Sequence, residues 1–505
     1  MSKELVFGRE AFDKIIVGFN KTANAVGGTL GPAGRNVLID DPILPHITND
    51  GATIAESISF PDKFENLGSW LVRNTSSQTN DDAGDGTTTT AVLLQEIVRL
   101  SLLRPENPMI IKNSLQEAIV GIVEALKASS KPISIDEVKK IALMSSENEE
   151  IAEIVSDTIK KVGVKGVIVV EESKTFETSV DIQEGYECNN GFISPYFAND
   201  PAQTKAVYDN IPVLCSEKKL NTVQDIKPLF DQMDKAGKSE LVIVCSDIDP
   251  QVLGILVANK IQGRLGVLVI KVVGTQLEDI CATVGAIMVS DITGVGFDKI
   301  DITKHLGLAQ RVSSDTKKTL FVAKTESGQA LAERLKQEAE LNTNEYQKSE
   351  ILKRIAKLTG GIAIIKVGGA TDLERVYKKH KTDDTVAAAR AALEEGIVEG
   401  GGMALWRISH DLEPKTVGEE ILKEALTAPL KKICENAGKD YSELLLKMPA
   451  GQGYDFKNNQ YTNLLESGII DPLKVERVSL VNAVSNASNF ITLHCAITDA
   501  PVDNK

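Results

Sequence analysis

Aromatic residues are scarce in this chain, at 5% of its 505 positions with only two tryptophans, so its 42% hydrophobic content comes mainly from small aliphatic side chains. That is the composition of a globular core. Histidine is scarcer still: the five copies stand apart and read as structural or exposed rather than as ligands. The six cysteines (Cys188, Cys215, Cys245, Cys281, Cys434, Cys495) form no C-x-x-C pair and no zinc spacing, which predicts reduced, mostly buried thiols in a cytosolic protein. No apolar run approaches the roughly 18 residues needed to cross a bilayer, and the opening MSKELVFGREAFDK lacks the apolar core of a signal peptide. Positive charge is in deficit. Lys plus Arg number 56 against 71 Asp plus Glu, a net charge of −15, and such a surface repels nucleic acid and anionic membrane. It does not exclude nucleotide, because backbone N–H groups and a metal can build a phosphate site without Lys or Arg. The familiar phosphate and catalytic signatures are also missing: no G-x-x-x-x-G-K-[ST], no G-x-G-x-x-G, no H-E-x-x-H and no G-x-S-x-G.

What is present is a change of character along the chain. The length predicts roughly two to four domains. Apolar spacing predicts helices over 9–28, 64–80 and 87–103, broken by glycine turns. Between about 160 and 370, strand-like runs (166–172, 241–246, 266–274, 361–367) alternate with helical stretches near 223–236, 249–263 and 329–358, predicting an α/β block. Helices return over 384–396, 401–411, 416–436 and 473–490. The pattern reads as a discontinuous helical domain carrying an α/β insertion, with Gly185 and Gly360-Gly361 as candidate hinges.

Three glycine-rich turns carry the chemistry. In Gly84-Asp85-Gly86-Thr87-Thr88-Thr89-Thr90 the glycines let a ligand approach the backbone at a helix start. Asp85 there would repel phosphate unless a divalent cation lay between them, so it reads as a magnesium ligand. The alternative is a plain capping loop, with Asp85 or Thr87 satisfying helix N–H groups. Thr29-Leu30-Gly31-Pro32-Ala33-Gly34 and Gly400-Gly401-Gly402 could likewise present backbone to a ligand, or serve as a turn and a flexible linker.

These segments, with NDGATIA, DKFENLG, GFISPYF, RIAKLTGGIAIIKVGGAT, RAALEEGIVEGGG and SGIIDPLKV, recur in this order and with similar spacing in type I chaperonins, the GroEL family, which the chain resembles from about Val6 to Thr498. The resemblance implies a multidomain α and α/β chaperonin fold: a helical equatorial domain (1–128 and 396–505), a small intermediate domain (129–184 and 362–395) and an α/β apical domain (185–361). It implies an ATPase that captures unfolded or partly folded clients in sevenfold, doubled homo-oligomeric rings, with a co-chaperonin lid, in the cytoplasm of a bacterium or of a virus-infected host.

By the same resemblance, Leu30, Gly31 and Pro32 line the base and phosphates. Gly51 belongs to the nucleotide loop, Asp85 binds Mg2+, and Gly86, Thr87, Thr88 and Thr89 hold phosphate oxygens. Gly400, Gly401 and Gly402 lie near the ribose, and Asp471 accepts its hydroxyls. Asp50 and Asp384 orient and activate the attacking water, with Asp384 brought in by hinge closure, and Thr29 helps build a site for a monovalent cation such as K+. Clients would bind Phe192, Tyr196, Phe197, Phe230, Leu253 and Val257. Departures from the family pattern are Asn49 where a lysine is usual, Lys227 and Ala258 in place of larger apolar residues, a shortened segment near Val273–Glu278, and a tail ending Ala500-Pro501-Val502-Asp503-Asn504-Lys505 without Gly-Gly-Met repeats. Lys431 and Asp440 stand where an Arg and a Glu join the two rings.

Overall fold

The structure, a computed structural model, describes residues 3–40, 45–164, 166–173, 175–200, 204–323, 326–342, 344–359 and 361–499. Gly360 and the tail from Ala500 lie outside the described residues. The chain divides into two compact units, one of Met1–Asp157, Glu172–Thr178 and Val367–Lys505, the other of Thr158–Glu171 and Ser179–Lys366.

The first unit is helical because its apolar residues recur at helical spacing. In Gly8–Gly27, Ala11, Ile15, Phe19, Ala23 and Val26 form one buried stripe. This helix packs on Lys63–Ala83 so closely that a Cβ on Gly18 would collide with the Glu65 carbonyl, and one on Gly68 with that of Ile15. Thr87–Leu102, Pro108–Ala128 and Leu473–Phe490 complete the core, where Leu93, Leu94, Ile97, Leu115, Leu126 and Leu480 are withdrawn from water. Each such side chain contributes about 1.5–3 kcal/mol.

Short antiparallel ribbons tie distant segments together. Lys3–Phe7 pairs with Cys495–Asp499, and Val37–Ile39 with His46–Thr48. Ile397–Glu399 pairs with Ile470–Pro472, setting Val398 opposite Asp471.

The second unit holds an eight-stranded mixed sheet in the order Val167–Glu172, Gly361–Val367, Ser179–Cys188, Thr319–Val322, Gly307–Ser314, Ala206–Ser216, Glu240–Cys245, Gly266–Lys271. The last three strands are parallel, and Val223–Lys235 and Pro250–Ile261 make the crossovers between them. Buried parallel strands read as unbroken apolar runs, as Leu241–Cys245 does. Thr222 caps the first crossover helix in a capping box with Asp225, and Asp249 caps the second ahead of Pro250.

Several elements differ from the sequence expectation. The stretch 329–358 is a hairpin of two helices, Glu326–Leu341 and Glu345–Thr359; at its turn the Asn342 and Asn344 side chains take the N–H groups of Asn344 and Gln347. The stretch 416–436 is also two helices, Val417–Ala425 and Ala428–Asn436. The helix expected from 384 begins at Asp372, capped by Thr371. Strands Ser179–Cys188, Ala206–Ser216 and Gly307–Ser314 carry polar residues among apolar ones, which hides them from a search for continuous apolar runs. Among the described residues no helix is long and apolar enough to cross a membrane. All six cysteines are unbridged, and only Cys495 is not buried.

Candidate functional site

The Lys63–Ala83 helix ends at Gly84 (φ 72°), and the next helix starts at Gly86 (φ 87°), so two left-handed residues bracket Asp85. No side chain caps Thr87–Leu102. The N–H groups of its first turn, from Thr87, Thr88 and Thr89, are therefore open to an anion. Asp85 is turned away from capping that turn: its Oδ1 accepts the Gly86 N–H at 2.6 Å. The capping alternative is not the arrangement found. Burial pushes the Asp85 carboxyl above the usual carboxylate range and Asp50 adds to this, while the Gly86 N–H and Lys381 oppose it.

Capping is instead the work of Asp50. Its Oδ2 accepts the Thr53 N–H at 2.8 Å and the Thr53 hydroxyl at 2.5 Å, fixing the start of Gly51–Ser57. A Cβ on Gly51 would lie 2.6 Å from the Thr88 hydroxyl and 2.7 Å from that of Thr87, so this turn abuts the open helix end. Asp384 comes from the Asp372–Glu395 helix, which lies against the same loop: a Cβ on Gly84 would strike that of Ala387. With Asn49, Asp50, Tyr377, His380 and Lys381, Asp384 lines a cleft. Burial raises its pKa well above the carboxylate range, Asp85 and Asp50 raise it further, and Lys381 pulls the other way. Asp384 is thus beside Asp50 in this conformation. Asp85 and Asp384 are recessed in protein yet keep part of their surface open, as groups meant to meet a ligand must.

The other two glycine turns join the same place. Pairing of Ile397–Glu399 with Ile470–Pro472 sets Gly400–Gly402 beside Asp471, whose carboxyl is close to the Gly401 N–H and to Glu476. Burial raises the Asp471 pKa to about 6, and Asp85 contributes. Gly401 (φ 66°) and Gly402 (φ 76°) lead into Met403–Asp411, a second helix that no side chain caps. In the first turn, Gly31 takes φ 81°, and Asn436 Nδ2 pins the loop by donating to the carbonyls of Gly27 (3.0 Å) and Leu30 (2.9 Å). Thr29 Oγ1 donates to the Val26 carbonyl and lies 3.4 Å from Thr88 Oγ1. Among the described residues no group of three or more His, Cys, Asp or Glu is placed to hold a metal unaided.

An open helix end flanked by carboxylates, assembled from four distant segments, narrows the field, and comparison with known proteins decides it. The profile of the TCP-1/cpn60 chaperonin family matches residues 22–501. This chain belongs to that family. The fold is also that of solved chaperonins: gp146 from the bacteriophage EL 2 (Pseudomonas aeruginosa), in presence of ATP-BeFx, superposes with a TM-score of 0.72 at 21% identity in crystal form II. Crystal form I gives 0.67 at 20%, and both alignments cover 98% of this chain and 99% of the other. A chaperone role follows from membership of the family.

In the chaperonin's second unit the expected client residues separate into two sets. Phe192 and Phe197 are buried in the core, Phe192 bridging to Ile270, so neither offers a face to another protein as the unit stands. This differs from what the family resemblance implied for these two positions: large apolar rings next to a sheet edge are taken up by the core. Tyr196 is 64% exposed on the short turn that touches Pro250–Ile261. Phe230, Leu253 and Val257 are half-buried against the same core, and Ile255 and Ile261 stand exposed on the second crossover helix. Lys227 and Ala258 are both exposed.

In the first unit Lys431 lies over the Tyr441 ring, 5.4 Å from its centroid, and Asp440 caps Tyr441–Lys447 by accepting the Glu443 N–H. Sequence reasoning missed Tyr377, His380 and Lys381, which face Asp50 from the Asp372–Glu395 helix, because the helix start was placed too late. Their spacing ahead of Asp384, at one and two turns, was the signal available. It also missed Glu476, a glutamate 6% exposed inside an apolar helix face.

Proposed function

We propose that this chaperonin subunit hydrolyses ATP and uses the cycle to capture non-native proteins and assist their folding. The observation that carries this reading is the uncapped start of Thr87–Leu102 beside Asp85, with Asp50 and Asp384 converging on it. The backbone N–H groups of Thr87–Thr89 and the threonine hydroxyls bind phosphate oxygens, where the helix dipole favours negative charge. Leu30, Gly31 and Pro32 border the base, and Gly400–Gly402 and Asp471 the ribose. The residues fit Mg2+: Asp85 would hold it, one carboxylate being the usual protein share when phosphates supply the rest. When bound, the ion neutralises charge on the phosphate oxygens. Asp384 accepts the proton of the attacking water, and Asp50, fixed by its own capping bonds, orients that water. Asn49 leaves the cleft without the usual lysine, and Lys381 supplies a cation from the opposite wall. K+ would be placed by the Thr29 hydroxyl.

The three-domain division stated above and a cytoplasmic location belong to the same reading. Clients bind through Tyr196, Phe230, Leu253 and Val257, while Phe192 and Phe197 support that face from beneath. Ring assembly is favoured by two ribbons that carry apolar residues outward: Leu5, Phe7 and Ile497 on one, Leu38 and Ile47 on the other. Exposed apolar strand edges are templates for pairing with a second chain. Sevenfold homo-rings, doubled through Lys431 and Asp440 and closed by a co-chaperonin, complete the proposal. Steady-state phosphate release from the purified protein, with and without Asp384→Ala, tests the core of it. No ATP turnover by the wild type would leave a ring that holds clients without a nucleotide cycle.

A further inference from the structure

His380 has no part in the chemistry assigned above, yet it lines the same cleft as the carboxylates that do. Along Asp372–Glu395 the residues Tyr377, His380, Lys381 and Asp384 recur at three- and four-residue spacing, which puts them on one face of the helix, each a turn from the next. That face and residues Ile47, Thr48, Asn49 and Asp50 enclose a cleft of about 20 Å³. A space of that size holds one water molecule, for which roughly 10–15 Å³ is enough. Such a water would bridge the polar groups on its walls, so His380 stands one step from Asp384. Tyr377 is 45% exposed at the outer end of the row, which therefore runs from a recessed carboxyl to solvent.

Hydrolysis leaves Asp384 with a proton that must go before the next turnover. The attacking water forms its bond to the γ-phosphorus, the bond to the ADP oxygen breaks, and the proton of the water lands on Asp384; ADP, phosphate and one proton then leave. Few groups in the cleft can take that proton. Asp50 is tied to the Ala52 and Thr53 N–H groups and to the Thr53 hydroxyl. Lys381 is already a cation, and Thr48 and Asn49 are not bases. His380 is a base, and among the described residues no hydrogen bond occupies its ring. Burial and then Lys379 hold the imidazole below the ordinary histidine range, against Asp50, Asp383 and Glu172, so near neutral pH it is uncharged and offers a lone pair. We propose that His380 is the proton relay of this site: it takes the proton from Asp384 through a water held in the cleft and hands it to solvent past Tyr377, resetting the carboxylate. The proposal rests on the nucleotide reading given above.

The test is phosphate release by the full chain with ATP and Mg2+, followed by rapid mixing through the first turnover and then at steady state, with imidazole as the added probe. His380→Ala should release the first phosphate at the wild-type rate, because Asp384 is still there to accept one proton. Later turnovers should slow by at least about tenfold, since a positioned acid–base group supplies about 10²–10⁴ in rate. Added imidazole should restore most of the lost rate by entering the space the side chain left. His380→Gln should slow as much, but with that space filled imidazole should not restore it. ADP affinity, measured by calorimetry, should stay within about threefold of the wild type in both variants. A merely structural histidine would slow the first turnover along with the rest and give no rescue. The proposal is overturned if steady turnover of His380→Ala stays within about twofold of the wild type, or if imidazole does not restore the slowed variant. Should His380→Ala not fold, wild-type steady turnover in folded His380→Gln overturns it equally, and a fast first phosphate followed by slow turnover supports it. No ATP turnover by the wild type is a different result: it removes the hydrolysis reading, and the relay falls with it.

Discussion

Replacing Asp384 with alanine separates the two things its carboxylate does in the cleft. As the proton acceptor for the attacking water it supplies about 10²–10⁴ in rate, and at ~1.4 kcal/mol per decade its loss raises the barrier by about 3–5 kcal/mol. As a third negative group beside Asp50 and Asp85 it opposes the arrival of an anionic ligand. Charges several Å apart at an effective dielectric of about 20 repel by on the order of 1–3 kcal/mol. Burial and its two neighbours raise the pKa of this carboxyl and so disfavour its charged form, which makes the relief on removing it smaller than that. Turnover should therefore fall by at least about tenfold, and more plainly by about a hundredfold, while nucleotide affinity stays level or tightens by up to about tenfold. Phosphate release measures the first and calorimetry with ADP in Mg2+ the second, and Asp384→Asn should match the alanine variant in both. Wild-type turnover in Asp384→Ala would refute the assignment. A loss of affinity matching the loss of turnover would show that Asp384 binds nucleotide rather than activating water.

Four further outcomes follow from the same geometry. Asp85→Ala should weaken nucleotide binding in Mg2+ but leave the weaker binding measured in EDTA unchanged; unchanged affinity in Mg2+ would move the metal elsewhere. Gly51→Ala places a Cβ 2.6–2.7 Å from the Thr88 and Thr87 hydroxyls, so it should cut nucleotide affinity at least about tenfold, whereas Gly121→Ala, with open space around it in mid-helix, should leave affinity alone and stabilise by up to ~1 kcal/mol. Leu253→Glu should abolish capture of a denatured model protein with ATP hydrolysis retained, and Lys227→Leu should tighten capture and reduce its salt dependence; equal capture by Leu253→Glu would place the client face elsewhere. Because Lys431 and Asp440 are engaged within the subunit, and exposed ion pairs contribute only about 0–1 kcal/mol each, native mass measurement should show double rings that dissociate to single rings as salt rises; single rings alone at low salt and without nucleotide would contradict this.

The sequence by itself determined the elements whose signal is local. Helical spacing marked Gly8–Gly27, Thr87–Leu102 and Leu473–Phe490, unbroken apolar runs marked Glu240–Cys245 and Gly266–Lys271, two of the three parallel strands of the sheet, and the order of glycine motifs carried the family. Each is a property of neighbouring residues, set by a period of 3.6 or 2 or by the backbone freedom of glycine. Tertiary structure alone decided what depends on which distant segments meet. Asp50 and Asp85 are equally plausible caps in one dimension; only packing shows that Asp50 caps its own helix while Asp85 leaves the next one open. Phe192 and Tyr196 look alike as exposed apolar candidates until the sheet edge takes one into the core and leaves the other out. Glu476 gives no local sign of burial, yet it is only 6% exposed once Leu473–Phe490 packs, with its neighbours Val475 and Ser479 against Gly86. Burial and charge proximity are sums over the folded neighbourhood, and so the pKa shifts of Asp384, Asp471 and Glu476 come into being with the fold.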